Sequence, residues 1–438
     1  MRVLIILLSA FILTYATQAP APASWFKDGD VSGNLKYYYI ETNKNYITGQ
    51  GTSHHSNAIG GQLKYKTKRV NNILFQATFM TTQGFLLPEN VESSTLAQDE
   101  GKKGLSAKDA YSVLGEVNLD YKNRYFNLWY GRKLVNTPMI GPKSARMLPS
   151  TIEGGEVSAF ISEDTSLSLL YADKFKQRTA KNFTNIIKHA LGADTYAVTG
   201  SDEGSAYTLN VKHTIDTSVL NIYNMYAPDF MNVAYVAMKY TNDFYTIAAQ
   251  AVKQVSVGNA KTNLAKASSI TNGKKINATA FGLRGILKHK QSSLDIVYRN
   301  ILRDKNAYDS IITPWDGSLL YAYSSTTNNL GQSLYGNGLT AGGAYVGGTQ
   351  GLKLGYTQKY DFFGLKGFKT HLAFAVYRNS LYREDQEDLK AILFYDNGPF
   401  SLQLKGIWID NDTYTFKDGT VNQLDSLTQY HAIVNYNF

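Results

Sequence analysis

From Val31 onward, apolar and polar residues alternate with a period of two, and the pattern recurs about every 20 residues, with Tyr and Phe at many segment ends. Alternation of this kind predicts β-strands that have one apolar and one polar face. In the first segment, Val31 and Leu35 lie on one face, whereas Lys36 and Tyr38 lie on the other. The sequence therefore predicts an all-β chain.

Short turns alternate with long connections along the whole sequence, for example a turn at 122–123 and a connection at 133–153. Only a closed barrel satisfies every backbone polar group of a sheet in lipid, and outer-membrane barrels have short periplasmic turns and long extracellular loops. We therefore expect a transmembrane antiparallel β-barrel. The other long connections are predicted at 83–109, 175–203, 255–275, 303–349 and 411–427.

The strand number follows from parity. The sequence contains roughly 19 extended segments, but a barrel with both ends in the periplasm needs an even number of strands. We assign 339–349, which includes a possible strand at 339–346, to the loop before it, because Gly347-Gly348 is a poor place for a strand to end. About 18 strands remain, and a barrel of that size encloses an aqueous lumen, whereas about eight strands would leave an interior filled by side chains.

The N-terminus has the pattern of a Sec-type signal peptide. Arg2 precedes an apolar stretch at 3–13, and Ala21-Pro22-Ala23 provides a cleavage site. We expect a signal peptide at 1–23, with a cut after Ala16 as the alternative, and a barrel domain at 24–438. No later apolar run approaches the roughly 18 to 20 residues of a membrane-spanning helix.

The predicted last strand, 428–438, alternates apolar residues and ends on Phe438. This arrangement resembles the C-terminal signal that the barrel-assembly machinery recognises. We therefore expect that machinery as a partner during biogenesis and the cell outer membrane as the location.

Composition argues against an enzyme and against a nucleic-acid partner. The net charge is +9 and cysteine is absent, so disulfides and thiolate metal sites are excluded. The basic residues are scattered singly, without a cluster of the nucleic-acid-binding type. The sequence has no G-x-S-x-G, H-E-x-x-H or P-loop motif, and its seven His are dispersed. We expect no catalytic residues, no metal and no cofactor.

Basic residues recur on the polar faces of the later strands. A charge facing lipid would cost about 2–4 kcal/mol at mid-depth, so the polar faces must line the lumen. Solvation alone requires this placement, which therefore does not establish a transport role. From the face assignment, the candidates for a basic ladder are Arg284, Arg299, Lys353 and Lys405.

The connection between the fifth and sixth predicted strands is unusual. The stretch 131–150 carries three of the nine prolines and four basic residues but no acid. Connections this long are uncommon in compact structures and are often functional. The basic residues of the stretch are Arg132, Lys133, Lys143 and Arg146.

This stretch resembles the OprD-type outer-membrane porins, in the branch of the family from epsilon-proteobacteria. The resemblance lies in Gly131-Arg132-Lys133, in 137–139 and in 144–154, and it continues in 354–368. It implies an 18-stranded barrel whose third extracellular loop, here 133–153, folds inward to narrow the channel. It also implies that a ladder of basic residues leads carboxylate-bearing solutes through the pore. Arg132, Lys133, Lys143 and Arg146 match the basic positions of that loop.

We therefore expect a passive porin for small hydrophilic solutes that favours carboxylates such as amino acids or small organic acids. An arginine can orient a carboxylate through two parallel hydrogen bonds; alternatively, Arg146 only anchors the loop. Other partners would be outer-membrane lipid and lipopolysaccharide, and a homotrimer is compatible with the apolar outer face.

Two alternatives remain open, a non-conducting surface or adhesin barrel and a general or cation-preferring porin. The latter would rely on acidic loop residues, namely Asp309, Asp316, Glu384, Asp385, Glu387 and Asp388.

Overall fold

The computed structural model describes most of the chain after its N-terminus, and the proposed signal peptide, with either cleavage position, lies outside the described residues. The described residues are 26–46, 49, 51–85, 111–142, 146–266, 271, 273–319, 346–379, 386–410 and 424–438.

The chain forms a closed antiparallel barrel of 18 strands. An additional two-residue strand, Thr184–Asn185, pairs with β7 outside the sequential order of the wall. The barrel strands are β1 Asp30–Tyr46, β2 Gly51–Lys66, β3 Ile73–Gly84, β4 Tyr111–Lys122, β5 Phe126–Lys133, β6 Thr151–Phe160, β7 Thr165–Lys176, β8 Ala206–Ile215, β9 Ser218–Ala227, β10 Met231–Thr241, β11 Tyr245–Ser256, β12 Asn277–His289, β13 Ser292–Ile301, β14 Thr349–Lys359, β15 Phe368–Asn379, β16 Gln386–Asn397, β17 Phe400–Asp410 and β18 Leu424–Asn437.

Each strand pairs with the next barrel strand along the chain, and β1 closes the barrel by pairing with β18. The closing register runs from Asn34 opposite Asn437 to Tyr46 opposite Leu424. The backbone of Gly33 also exchanges hydrogen bonds with that of Phe438. Closure leaves no unpaired sheet edge toward lipid, and the predicted fold class is confirmed.

The strand faces follow the alternation in the sequence. Val31 and Leu35 are 62% and 59% exposed on the outer face of β1, whereas Tyr38 is 1% exposed on the inner face. Exposed apolar side chains on the outside are those that lipid covers in the membrane. No helix in the described part of the chain is long and apolar enough to cross a membrane.

The predicted strand bounds differ from the structure by a few residues at most ends. The largest shift is in β2, which begins at Gly51 instead of near Asn57. The interpretation of 339–349 as loop falls mostly outside the described residues, and β14 begins at Thr349, after the double glycine.

Three extracellular connections matter for the lumen. We call them L3 (134–150), L4 (177–205) and L7 (302–348). L3 is the third extracellular connection along the chain, as the strand count predicted, and it lies between β5 and β6.

Candidate functional site

L3 begins deep in the barrel because β5 is short. β5 has eight residues, whereas β4 beside it has 12. The pairing of these two strands ends at Val117 opposite Arg132, although β4 extends up to Tyr111. The chain therefore leaves the wall below the top of its neighbour, which allows L3 to enter the lumen.

L3 reaches the inner face of β1, four strands away from β5 in the barrel. The backbone carbonyl of Arg146 accepts a hydrogen bond of 2.6 Å from Lys36 Nζ. Met147 and Leu148 are buried against Tyr38 and Ile40 on the inner face of β1. L3 is thus fixed to the inside of the barrel wall.

On its other side, L3 is fixed to L7 and L4. Ser150 Oγ donates a hydrogen bond of 2.6 Å to Asp316 Oδ2 in L7, and Arg178 of L4 forms an ion pair with the same carboxylate. The backbone N–H of Gly141 donates to the carbonyl of Trp315 over 3.0 Å. Asp316 therefore joins all three loops.

The three loops also share one apolar cluster with the inner faces of several strands between β5 and β13. Trp315 is fully buried in it, and its indole N–H donates to the carbonyl of Ile186 over 2.8 Å. Strands outside this loop cap include β14, β17 and β1, whose inner faces carry Lys353, Lys405 and Lys36. The loop residues of the cap are Val135, Met139, Ile140, Ile186, Ile187, Leu191, Val198, Ile311, Trp315 and Leu319.

Arg132 does not face the lumen. On β5, Trp129 is 3% exposed and Tyr130 is 67% exposed, so alternation places Arg132 on the outer face with Tyr130. Its Nε donates to Glu153 Oε2 over 2.9 Å, and its guanidinium lies over the ring of Phe183 at 4.3 Å. The expectation that Arg132 lines the constriction is therefore corrected by the strand geometry.

The other three loop-three candidates lie in different surroundings. Lys133 lies on the inner face, with Nζ 3.4 Å from Asp120 Oδ2 and 5.1 Å from the centre of the Trp129 ring. Lys143 lies outside the described residues. Arg146 is enclosed where L3 meets β1, and burial lowers its pKa to about 10, so it remains charged at neutral pH.

The ladder candidates all lie on the inner face, but they are not equivalent. Arg284 donates to both oxygens of Asp295, over 2.8 and 3.2 Å, and Lys353 Nζ lies 3.5 Å from the same carboxylate. One carboxylate thus neutralises part of the charge of two candidates. Arg299 lies over the ring of Tyr377 at 4.9 Å.

Lys405 lies beside two further cations. Lys405 lies close enough to Arg146 and Lys36 for electrostatic interaction. In register, Lys405 stands opposite His431, which stands opposite Ile40 of β1. We call Lys36, Arg146 and Lys405 the cation cluster.

Beyond the candidates from the sequence, the lumen cations include Lys36 and Lys390. Lys36 lies on the polar face of the first predicted strand. Leu389 is 46% exposed and Lys390 is fully buried. The alternation test used for β12–β14 would therefore have identified Lys390 on β16.

Several acids occupy positions other than the expected exposed loops. Asp388 and Glu387 belong to β16, with Asp388 on the inner face, because the apolar alternation of that strand extends further than the polar residues suggested. Asp309 pairs with Arg303 in L7, and Asp316 is buried as described above. Glu384 and Asp385 lie outside the described residues. In the described ranges, no group of three or more acidic or His side chains could hold a metal ion.

The chain is similar to known outer-membrane channels. A family model described as outer membrane porin, OprD family, matches residues 25–329. No curated protein matches the sequence significantly. The chain resembles the solved structure of Pseudomonas aeruginosa OccK8 (OprE), to which it is 15% identical, with a TM-score of 0.71 over 95% of this chain and 99% of that one. Acinetobacter baumannii OccAB4 is 14% identical, with a TM-score of 0.69 over 93% of this chain and 98% of that one. P. aeruginosa OpdK with vanillate is 13% identical, with a TM-score of 0.67 over 93% of this chain and 98% of that one.

The structural likeness covers nearly the whole barrel, and the family match covers most of the chain. Porins are channels rather than enzymes, and they lie in the outer membrane. The chain therefore belongs to the OprD family of outer membrane porins.

Proposed function

We propose that this porin favours small solutes that carry a carboxylate, such as amino acids or small organic acids. The observation that carries the proposal is the cation cluster, which lies where L3 meets the β1 wall. Lys36 and Lys405 both lie close enough to Arg146 for electrostatic interaction. An anion that passes there would meet three basic side chains.

The surroundings of the cluster strengthen its effect on anions. The apolar loop cap occupies the other side of the lumen, and low-dielectric walls focus an electrostatic field onto the polar path. A guanidinium and two ammonium groups provide donors that suit carboxylate oxygens. Conduction also requires weak binding, and distributed cations meet that requirement better than a single tight site.

The acids of the lumen argue against a cation-preferring channel. Asp295 is engaged by Arg284 and Lys353, and Asp316 by Ser150 and Arg178. One relative in the family fold, OpdK of P. aeruginosa, was crystallised with vanillate, which is an aromatic carboxylate. A carboxylate preference in this chain is consistent with both observations.

The selectivity of the purified porin in a planar bilayer tests the proposal. Under a KCl gradient, the reversal potential should indicate that chloride permeates better than potassium. Arg146→Gln and Lys405→Gln should each shift the reversal potential toward potassium, because each removes one cation from the cluster. The shift should shrink at high salt, where charges are screened.

Arg132→Gln is the matched control, because it removes one charge from the outer face of the same region. We expect its reversal potential to equal that of the unaltered porin. Potassium preference in the unaltered porin would support a cation channel, and absence of conductance would support a non-conducting surface barrel. If Arg132→Gln and Arg146→Gln shifted the reversal potential equally, the assignment of the ion path to the cation cluster would be contradicted.

A further inference from the structure

A group of lysines lies at the extracellular end of the barrel, where the outer faces of β11 and β12 meet the start of L7. Lys253 projects outward from β11, because its neighbours Val252 and Gln254 are 2% and 0% exposed on the inner face. Two further lysines precede β12, and one lies in L7. We call these residues the outer lysine patch: Lys253, Lys274, Lys275 and Lys305.

Backbone contacts bring the lysines of the two connections together. The N–H of Tyr308 donates to the carbonyl of Lys275 over 2.9 Å, and the N–H of Asn277 donates to the carbonyl of Tyr308 over 3.0 Å. Lys274 Nζ donates to the carbonyl of Lys305 over 3.0 Å. The start of L7 therefore lies beside the start of β12, and the patch is built on hydrogen-bonded backbone rather than on separate loops.

The outer lysine patch carries an excess of positive charge. Asp304 is its neighbouring carboxylate: Oδ2 accepts a hydrogen bond of 2.6 Å from Asn277 Nδ2, and the group lies close enough to Lys253 and Lys275 for electrostatic interaction. The connection 257–276 contains four lysines and no acid, and 317–346 of L7 contains no charged residue. Four ammonium groups thus stand against one carboxylate.

The wall beneath the patch is apolar. Thr279 stands opposite Lys253 and accepts from its Nζ over 2.8 Å, and the N–H of Leu302 donates to the carbonyl of Thr279 over 2.8 Å. Leu302 is 43% exposed, and Leu283 and Ile296, further toward the periplasm, are 52% and 38% exposed. Lipid chains cover such an apolar band, and lysines above it extend their ammonium groups into the head-group layer.

The extracellular leaflet of an outer membrane consists of lipopolysaccharide, whose lipid A part carries phosphates on sugars joined to acyl chains. Ammonium groups bind phosphates as point charges, and clustered lysines at a membrane surface attract anionic lipids. We propose that the outer lysine patch binds the lipid A phosphates of lipopolysaccharide, with the acyl chains along Leu302 and Leu283. The site lies outside the lumen and is independent of the solute preference proposed above.

Binding of lipid A to the purified porin tests the proposal. The porin is refolded in detergent without lipopolysaccharide and titrated with lipid A at low ionic strength, and native mass spectrometry measures the bound fraction. Lys253→Gln and Lys275→Gln should each lower the affinity about fivefold, which is the usual contribution of one lysine at an anionic lipid surface. Added salt should weaken binding to the unaltered porin, because it screens the charges.

A substitution of opposite sign and a matched control sharpen the test. Asp304→Asn should strengthen binding of lipid A, because it removes the negative charge beside the lysines. Lys366→Gln removes an exposed lysine from the periplasmic turn between β14 and β15, and it should leave the affinity unchanged. Folding of every variant is checked by its heat-modifiable migration in electrophoresis.

Dephosphorylated lipid A identifies the part of the lipid that is recognised. It should bind more weakly than lipid A, and Lys253→Gln should not weaken it further. Unchanged affinity for lipid A in the folded double variant Lys253→Gln, Lys275→Gln would overturn the proposal, as would an equal loss in Lys366→Gln. Phosphatidylglycerol that displaced lipid A at equal concentration would overturn the assignment to lipopolysaccharide and indicate attraction of any anionic lipid.

Discussion

At the scale of single residues, the number of basic side chains on the inner face does not measure the charge that a solute meets. Asp295 holds Arg284 through two hydrogen bonds and lies 3.5 Å from Lys353 Nζ. Lys405 and Lys36 instead interact with a further cation, Arg146. The field at L3 is therefore produced by fewer residues than a count of the ladder suggests.

Asp295→Asn should increase the preference for anions. The substitution keeps the shape of the side chain but removes the negative charge that Arg284 and Lys353 share, so both cations act on the lumen. Loss of a buried charge partner also destabilises the wall, by about 3–5 kcal/mol in comparable cases. The reversal potential under a KCl gradient measures the first effect, and thermal unfolding in detergent measures the second. A shift toward potassium would show that Arg284 and Lys353 do not face the path.

At the scale of elements, the position of L3 depends on contacts among three loops. L3 contacts the wall through Lys36, but its other side depends on Asp316 of L7, which binds Ser150 and Arg178. Asp316 has a backbone φ of 57°, a conformation that non-glycine residues adopt only when their surroundings stabilise it. The position of L3 is therefore set jointly by L4 and L7.

Asp316→Asn should loosen L3. The amide cannot form the ion pair with Arg178, and leaves that guanidinium without its charge partner in a buried position. We expect more frequent fluctuations of the open-channel current and a broader distribution of conductance. Asp202→Asn changes an exposed acid of L4 and is the control. A current as steady as that of the unaltered porin would show that the apolar loop cap alone holds L3 in place.

Strand alternation and the rhythm of turns were sufficient to predict the barrel, its strand number and the inner position of Arg284, Arg299, Lys353 and Lys405. The same rule, applied to β5, would have placed Arg132 outside, but the family resemblance had assigned that residue to the loop. The role of Asp316 could not be predicted, because it depends on contacts between loops far apart in sequence. Loop packing carries no period that a single sequence reveals.

At the scale of the whole molecule, the lumen is asymmetric. The loop cap is apolar and packs against the β5–β13 side, whereas Lys36 and Lys405 of the cation cluster lie on β1 and β17. A closed barrel gives the same backbone surroundings to every strand, so the asymmetry arises from where the extracellular loops pack. The barrel forms the channel, and the packing of the extracellular loops determines which part of the inner wall a solute contacts.

Single cysteines can map this asymmetry, because the chain contains none. Lys36→Cys should react with an anionic methanethiosulfonate and lose conductance as it does so. Val233→Cys, on β10 in the buried apolar cluster, should remain unmodified over the same reaction time. Mass measurement quantifies the labelling, and the bilayer current reports its effect. Equal labelling of the two positions would contradict a path restricted to the basic wall.

Arg132 and Lys133 are neighbours in sequence, yet they point to opposite sides of the barrel wall. One residue gained or lost in β5 would exchange them, so that the outward-facing guanidinium would enter the lumen and the ammonium would leave it. A sequence alignment that matches only the basic residues of two porins therefore assigns some of them to the wrong face of the wall whenever the strand lengths differ by an odd number of residues. Comparisons of solute preference across these channels need strand parity as well as residue identity.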